Sequence, residues 1–315
     1  MIAFGPVPSR RLGQSLGINN IPPKHCSYSC VYCQVGRTDH LEIQPRPFYS
    51  VDDIVRAVEK KITAVYQQNK KIDFLTFVPD GEPTLDIRLG EEIEKLRQFG
   101  FPIAIICNSS LLDQPSARQS LIKADWVSLK VDSVIEEKWR KINRPHRKLN
   151  LDNILKSMLA FSLEFPGELV TETMLVARIN DDLNSIHQLA SFLGNLKPFK
   201  VYLSVPARPP AETWVDIPSF ETLNQAFQII AEQIPAVEIL YEEESVSFQS
   251  TGNLADDILG ITAVHPMQQE ALKQMIANAQ LNWEVVENLI NENLLRCVEY
   301  RGIRYYLNAK IFRTG

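Results

Sequence analysis

Long apolar runs are missing from this chain of 315 residues. The longest, 101–107 with Pro102 inside it, falls far short of the ~20 residues that span a bilayer. The opening MIAFGPVPSRRLG has no charged-then-apolar leader, so a cytoplasmic protein without a membrane partner is expected. An excess of positive charge is missing too. Against 33 basic residues stand 38 acidic ones, a net charge of -5, which excludes the broad positive field of a protein that binds nucleic acid with its whole surface. Cysteines are few. There are five, an odd number, and three of them crowd into eight residues, which suits a metal or cluster site and not a disulfide framework. What is present is ordinary: 45% apolar, 23% charged and a mean hydropathy of -0.13, enough for one sizeable core plus something smaller.

Short β-branched or apolar runs at 15–19, 72–78, 103–107, 126–131, 169–176 and 201–205 read as six strands. Helical patterns at 51–68, 87–99, 114–123, 151–161, 183–193 and 220–233 follow them, several opened by a capping residue such as Ser50, Asp86, Asn150 or Ser219. Strands such as FLTFV and WVSLKV are apolar on both faces, as a parallel sheet covered by helices requires. Six βα units give a partial barrel or a doubly wound layer, with 236–241 as a further edge strand. The acidic Glu242–Glu244 and the polar run after it read as a linker, so one domain is expected over residues 1–250. Residues 255–315 then read as helix 266–277, helix 283–293 and two strands, LLRCVEY and IRYYLN, joined at Arg301 and Gly302. That order is a winged-helix pattern.

The chemistry concentrates in His25-Cys26-Ser27-Tyr28-Ser29-Cys30-Val31-Tyr32-Cys33, a C-x3-C-x2-C triplet just beyond the first strand, at the end where α/β folds place their sites. Three thiolates on one loop suit a cuboidal iron–sulfur cluster and leave one coordination position open, the arrangement of a reactive site. The rival is zinc with His25 as fourth ligand, disfavoured because no second CxxC or HxxxH half is present. Cys107 and Cys297, flanked by apolar residues, read as inert.

The triplet, with aromatic Tyr32 before its last cysteine, resembles the cluster motif of the radical S-adenosylmethionine enzymes. That resemblance covers roughly residues 12–240. It implies an α/β fold with a partial (β/α)6 barrel, and Cys26, Cys30 and Cys33 as ligands of a [4Fe-4S] cluster whose fourth iron chelates S-adenosylmethionine. It further implies reductive cleavage to a 5′-deoxyadenosyl radical and an external electron donor such as flavodoxin or ferredoxin. Tyr32, Gly81, Glu82, Asn108, Ser128, Lys130, Asp132, Asn180 and Arg208 stand where the family contacts its nucleotide. GPVPSRRLGQSLGINN, ETMLVARIND and VPARPPAE resemble a group related to the wyosine-type tRNA-modifying members, without the cysteines for those members' second cluster.

A basic run, Lys138, Arg140, Lys141, Arg144, His146, Arg147 and Lys148, suits either a solvated face or an RNA or protein substrate beside the barrel mouth. Helix 283–293 carries Glu284, Glu287 and Glu292 and no Lys or Arg, so sequence-specific DNA reading is not expected. Two other functions fit the same residues: an activase that puts a radical on a partner protein, and an iron–sulfur or zinc sensor whose winged helix binds DNA.

Overall fold

The computed structural model describes residues 1–241, 248 and 250–310. Residues 3–240 are organised around one eight-stranded sheet whose spatial order follows chain order. β1 (Ala3–Ser9) pairs antiparallel with β2 (Gly13–Ile18). Every later neighbour is parallel: β3 (Phe74–Phe77), β4 (Ile103–Cys107), β5 (Trp126–Lys130), β6 (Glu168–Met174), β7 (Lys200–Ser204) and β8 (Val237–Leu240). The parallel steps are crossed by α1 (Val51–Gln67), α2 (Leu89–Leu96), α3 (Pro115–Leu121), α4 (Glu136–Asn143) with α5 (Leu151–Glu164), α6 (Leu183–Leu196) and α7 (Phe220–Ala231). An order that never reverses keeps right-handed crossovers on one face, so the sheet curls around its other face. β1 and β8 do not pair, and the barrel stays open. This is the expected α/β partial barrel.

The helices form where their sequence demands. In α1 the buried Val51, Ile54, Val58, Ile62 and Val65 recur at three- and four-residue spacing, and the Ser50 side chain accepts from the Asp53 N–H at 3.1 Å. Each such side chain buried against the sheet contributes roughly 1.5–3 kcal/mol. At α2 the expectation needs correction. Asp86 does not open the helix; it closes the turn Pro83–Leu85, accepts from the Arg88 N–H, and α2 starts at Leu89. β1 escapes the sequence reading because Gly5, Pro6 and Pro8 look like a loop, whereas an edge strand tolerates prolines. α4 escapes because EEKWRKIN buries only Trp139, Ile142 and Asn143.

After the barrel come α8 (Leu254–Val264), β9 (Met267–Gln268), α9 (Gln269–Asn278), α10 (Glu284–Asn291), β10 (Leu295–Tyr300) and β11 (Ile303–Asn308), the strands ordered β9-β11-β10. α8 and β9 add to the elements read from sequence. This part has its own apolar cluster, including Ile258, Ile261, Leu272, Met275 and Val286. It sits against the open side of the barrel. Gly260 lets α8 approach β1, where an added Cβ would lie 3.3 Å from Phe4 Cβ, and Lys61 of α1 bonds the buried Asp257 at 2.6 Å. The Tyr300 and Tyr305 hydroxyls donate to the carbonyls of Pro206 and Ala207 at 2.9 and 3.1 Å. The expected linker, Glu242–Glu244, lies outside the described residues. Among the described residues no helix is long and apolar enough to cross a membrane.

One buried carboxyl gives the fold a pH dependence. Burial, and then the neighbouring Asp86, raise the pKa of Glu92 on α2 far above the ordinary carboxyl range. The folded chain therefore holds this proton more tightly than the unfolded one, so the contribution is full at low pH and is lost as pH rises through the raised pKa. Urea unfolding at about pH 6 and about pH 8.5 should show wild type losing on the order of 1–2 kcal/mol more than Glu92→Gln between the two. Parallel losses would contradict the assignment.

Candidate functional site

The cysteine loop has almost no secondary structure of its own, so its backbone groups must find partners elsewhere. Several come from α4. The N–H groups of Ser29 and Val31 donate to the carbonyls of Asn143 and Ile142 at 3.0 and 2.9 Å, satisfying carbonyls that a helix end leaves open. His146 N–H donates to the Ser27 carbonyl at 2.9 Å, and Glu212 N–H donates to that of Val31 at 3.0 Å. On the other side the segment 24–26 runs along 80–82: Lys24 N–H donates to the Asp80 carbonyl at 2.6 Å and Glu82 N–H to that of His25 at 3.0 Å. Gly81 makes this approach possible. A Cβ there would lie 1.9 Å from the His25 carbonyl oxygen, one residue before the first thiol.

A side-chain brace lies beneath the loop. The Asp132 carboxylate accepts from the Tyr32 hydroxyl at 2.5 Å, the Asn143 amide at 2.6 Å and the Met174 N–H at 2.8 Å. Asn143 also reaches Cys30 Sγ at 3.3 Å. Asn108 donates to the Ser27 hydroxyl at 2.8 Å and to Cys26 Sγ at 3.5 Å, while its own N–H donates to Glu82 at 2.7 Å. Trp139 Nε1 donates to the Tyr28 hydroxyl at 3.1 Å.

Cys26, Cys30 and Cys33 line one cavity of about 260 Å³ at the carboxyl ends of the strands. Tyr32, Gly81, Glu82, Asn108 and Lys130 share its wall. The other sequence-predicted residues do not. Asp132 belongs to the brace. Asn180 clamps the turn after β6, donating to the carbonyls of Asp132 and Met174 at 2.7 and 2.9 Å and accepting from Val176 N–H at 2.8 Å. Ser128 is buried on the β5 face that carries Lys130, and Arg208 lines a second cavity. Of the two cysteines read as inert core, Cys107 is buried and touches the thiol cavity, whereas Cys297 is exposed on β10. Its strand lies at the edge of its sheet, one flank covered by β11 alone. Three of the seven residues of the basic run are engaged in ion pairs: Lys138 with Asp182, Arg140 with Glu136, Arg144 with Glu212.

The sequence reading missed Asp80, Glu172 and Asn143. Glu172 was legible as the inward residue of β6 between Val170 and Met174. Its carboxylate pairs with Arg11 and, at 3.0 Å, with Lys130, which lies 5.0 Å above the Tyr32 ring. Burial opposes the Glu172 charge, but Lys130 and Arg11 outweigh it and hold its pKa far below the ordinary range. Asp80 is placed by a turn, and Asn143 by a helix with little apolar signal.

The electrostatics suit a cation-rich group held by thiolates. Burial first, then neighbouring negative groups, raise the pKa of Cys26, and the same causes push Cys30 up to about 12. A bound metal would reverse that balance by coordinating the thiolate. Among the described residues no three His, Cys, Asp or Glu side chains come together closely enough to share one ion. A cuboidal cluster spreads its thiolates over separate irons. Asp80, raised to about 7 by burial, also lines the cavity, and its Oδ1 is buried without a hydrogen-bond partner, an acceptor that a bound ligand would satisfy.

Comparison with known proteins gives four findings. The model of the Radical SAM superfamily matches residues 20–191. A UPF0026 protein of Methanocaldococcus jannaschii is 48% identical over 308 residues, 97% of this chain and 95% of that protein. An S-adenosylmethionine-dependent nucleotide dehydratase of Flammeovirga pacifica is 26% identical over 210 residues, 63% of this chain and 68% of its own. Among solved structures, that of TYW1 with a lysine-pyruvate adduct bound shares the fold, with a TM-score of 0.56 at 14% identity over 71% of this chain and 76% of the other.

Gly81→Ala tests the packing at the loop. Backbone must move to admit the methyl group, at a cost of roughly 1–3 kcal/mol. The variant is expected to melt earlier than wild type and, where still folded, to retain less iron after anaerobic reconstitution. Unchanged melting and iron content would refute the close approach.

Proposed function

Because the chain belongs to the radical SAM superfamily, we propose that it is an enzyme whose Cys26, Cys30 and Cys33 hold a [4Fe-4S] cluster beside a bound S-adenosylmethionine. The observation that carries this reading is the convergence of all three thiols on one cavity whose wall also holds Asn108, Lys130 and the unsatisfied Asp80. When bound, the cluster supplies the electron that cleaves the nucleotide to methionine and a 5′-deoxyadenosyl radical for hydrogen abstraction. The chain supplies geometry. Hydrogen bonds from α4 and Gly81 fix the thiol-bearing backbone, the Asp132 brace fixes Tyr32, and Asn108 links Cys26 to Glu82. Lys130 offers a charged partner and Asp80 an acceptor for a nucleotide's polar groups, and Val78, Ile106 and Met174 give the wall an apolar surround.

An external electron donor such as flavodoxin or ferredoxin would supply the reducing equivalent. Residues 1–250 act as the catalytic domain and 255–315 as a winged-helix-like domain, a reading supported by the separate apolar core and the strand order β9-β11-β10. The acidic face of α10 opposes a phosphate backbone and supports docking in place of DNA reading. The part of the basic run outside ion pairs suits an RNA or protein substrate.

Anaerobic reconstitution is expected to load about four irons per chain. With a strong reductant the loaded protein should convert S-adenosylmethionine slowly to 5′-deoxyadenosine and methionine. Alanine at Cys26, Cys30 or Cys33 should abolish both results; Cys297→Ala should preserve both. Tight zinc with no iron uptake, or cleavage that survives loss of a triplet cysteine, would contradict the assignment.

A further inference from the structure

One short segment, the end of α4 and the turn after it, backs the cysteine loop along its whole length. Tyr28 forms an antiparallel bridge with Pro145, Ser29 and Val31 donate to the carbonyls of Asn143 and Ile142, and His146 donates to that of Ser27. None of residues 136–148 lines the thiol cavity, so this support comes from outside it. The segment also lies at the surface: Arg144, Pro145 and His146 are half-buried, and Arg147 and Lys148 are exposed. It is the same stretch that carries the basic run.

The charge there is in surplus. Among the described residues Arg147 and Lys148 form no ion pair, and neither does the exposed Lys141, one turn beyond Glu137. Arg37, four residues after Cys33, and Arg144 share the single carboxylate of Glu212 at 2.8 and 2.5 Å, so this triad keeps one positive charge. Exposed Asp39 offsets that one and leaves Arg147 and Lys148 unanswered. In a chain of net charge -5, a positive surface directly behind the cysteine loop runs against the overall sign. Free charge by itself suits an RNA or protein substrate, but position narrows the choice. A substrate has to reach the cavity, and of these cations only Arg37 touches its wall. An electron carrier has only to come close to the thiol-bearing backbone, which residues 142–146 cover from the surface side.

We propose that Arg37, Arg144, Arg147 and Lys148 form the docking surface for an acidic one-electron carrier protein, which delivers its electron through the backbone of residues 27–31. The assignment rests on the radical SAM reading above and gives the donor that reading needs a place on this chain. The carrier gives up one electron, the cluster held by the three thiols takes it up, and no covalent bond of the chain forms or breaks. Surface charge of this kind steers encounter and orients the partner more than it adds affinity. Glu212 serves the surface twice. Its carboxylate orders Arg37 and Arg144 before the partner arrives, and its N–H holds the Val31 carbonyl of the loop at 3.0 Å.

The test uses the iron-loaded, full-length protein with an acidic flavodoxin and an acidic ferredoxin. Calorimetric titration reads binding, and the rate at which the reduced carrier bleaches the cluster absorption reads electron transfer. At least one carrier should bind saturably, and its affinity should fall about tenfold or more between roughly 0.05 and 0.5 M salt. Arg147→Glu combined with Lys148→Glu should lower both affinity and reduction rate by about tenfold or more, whereas Arg147→Lys combined with Lys148→Arg should keep both. Nucleotide cleavage driven by dithionite, which needs no docking, should stay at the wild-type rate in every variant. No saturable binding of either carrier, binding and reduction unmoved by charge reversal, or an equal loss of dithionite-driven cleavage would overturn the proposal. So would a small structured RNA that binds wild type, and not the reversed variant, while carrier binding is unchanged, because the surface would then belong to a substrate. Failure of wild type to load iron or to cleave with dithionite would refute the radical chemistry; normal cleavage with dithionite but no docking would refute this surface alone.

Discussion

Everything in this molecule depends on holding a short, irregular stretch of backbone, residues 24–33, in one shape. Three thiols on a free loop would scatter, because burial and mutual repulsion disfavour bringing their charged forms together. The chain answers with backbone hydrogen bonds from two sides: the carbonyl end of α4 accepts from Ser29 and Val31, and the segment around Gly81 pairs with 24–26. Neither support is near the cysteines in sequence. Both exist only because β3, β4 and β5 stand side by side and release their connections at the same end of the sheet.

The same sheet explains the second feature. A barrel of parallel strands that stops short of closure leaves one side without hydrogen-bond partners and with apolar surface exposed, and something must cover it. Here the covering is the C-terminal part, packed on β1 through Gly260 and tied to α1 by the Lys61–Asp257 pair. Open on that side and covered by a second core, the barrel keeps a cavity of about 270 Å³ between β1, β8 and the end of α8.

How much of this was legible in the sequence differs by element. The parallel strands were legible, since runs such as FLTFV are apolar on both faces whatever surrounds them, and helices with strong apolar periodicity such as α1 followed. β1 was hidden by its prolines, and α4 by its charge. The cysteine triplet was legible because its spacing is itself the chemistry. The brace was not. Asp132 and Asn180 read as ligand contacts from their place at strand ends, yet their oxygens and amides are spent on Tyr32, Asn143, Met174 and Val176. A sequence shows that a polar residue faces inward; only the fold shows which neighbour takes its hydrogen bonds. Asp80 is the converse case, an acidic residue in a turn without a pattern, which the fold turns into a buried acceptor at the cavity wall.

The central claim is that three cysteines hold an iron–sulfur cluster with one iron left open to S-adenosylmethionine. Electron paramagnetic resonance of the reduced, reconstituted protein tests it most directly, recorded before and after addition of the nucleotide. The account predicts a cluster signal whose shape changes when S-adenosylmethionine is added, and no such signal in Cys33→Ala. A signal unaltered by saturating nucleotide would mean that the fourth iron is closed, and would contradict the account.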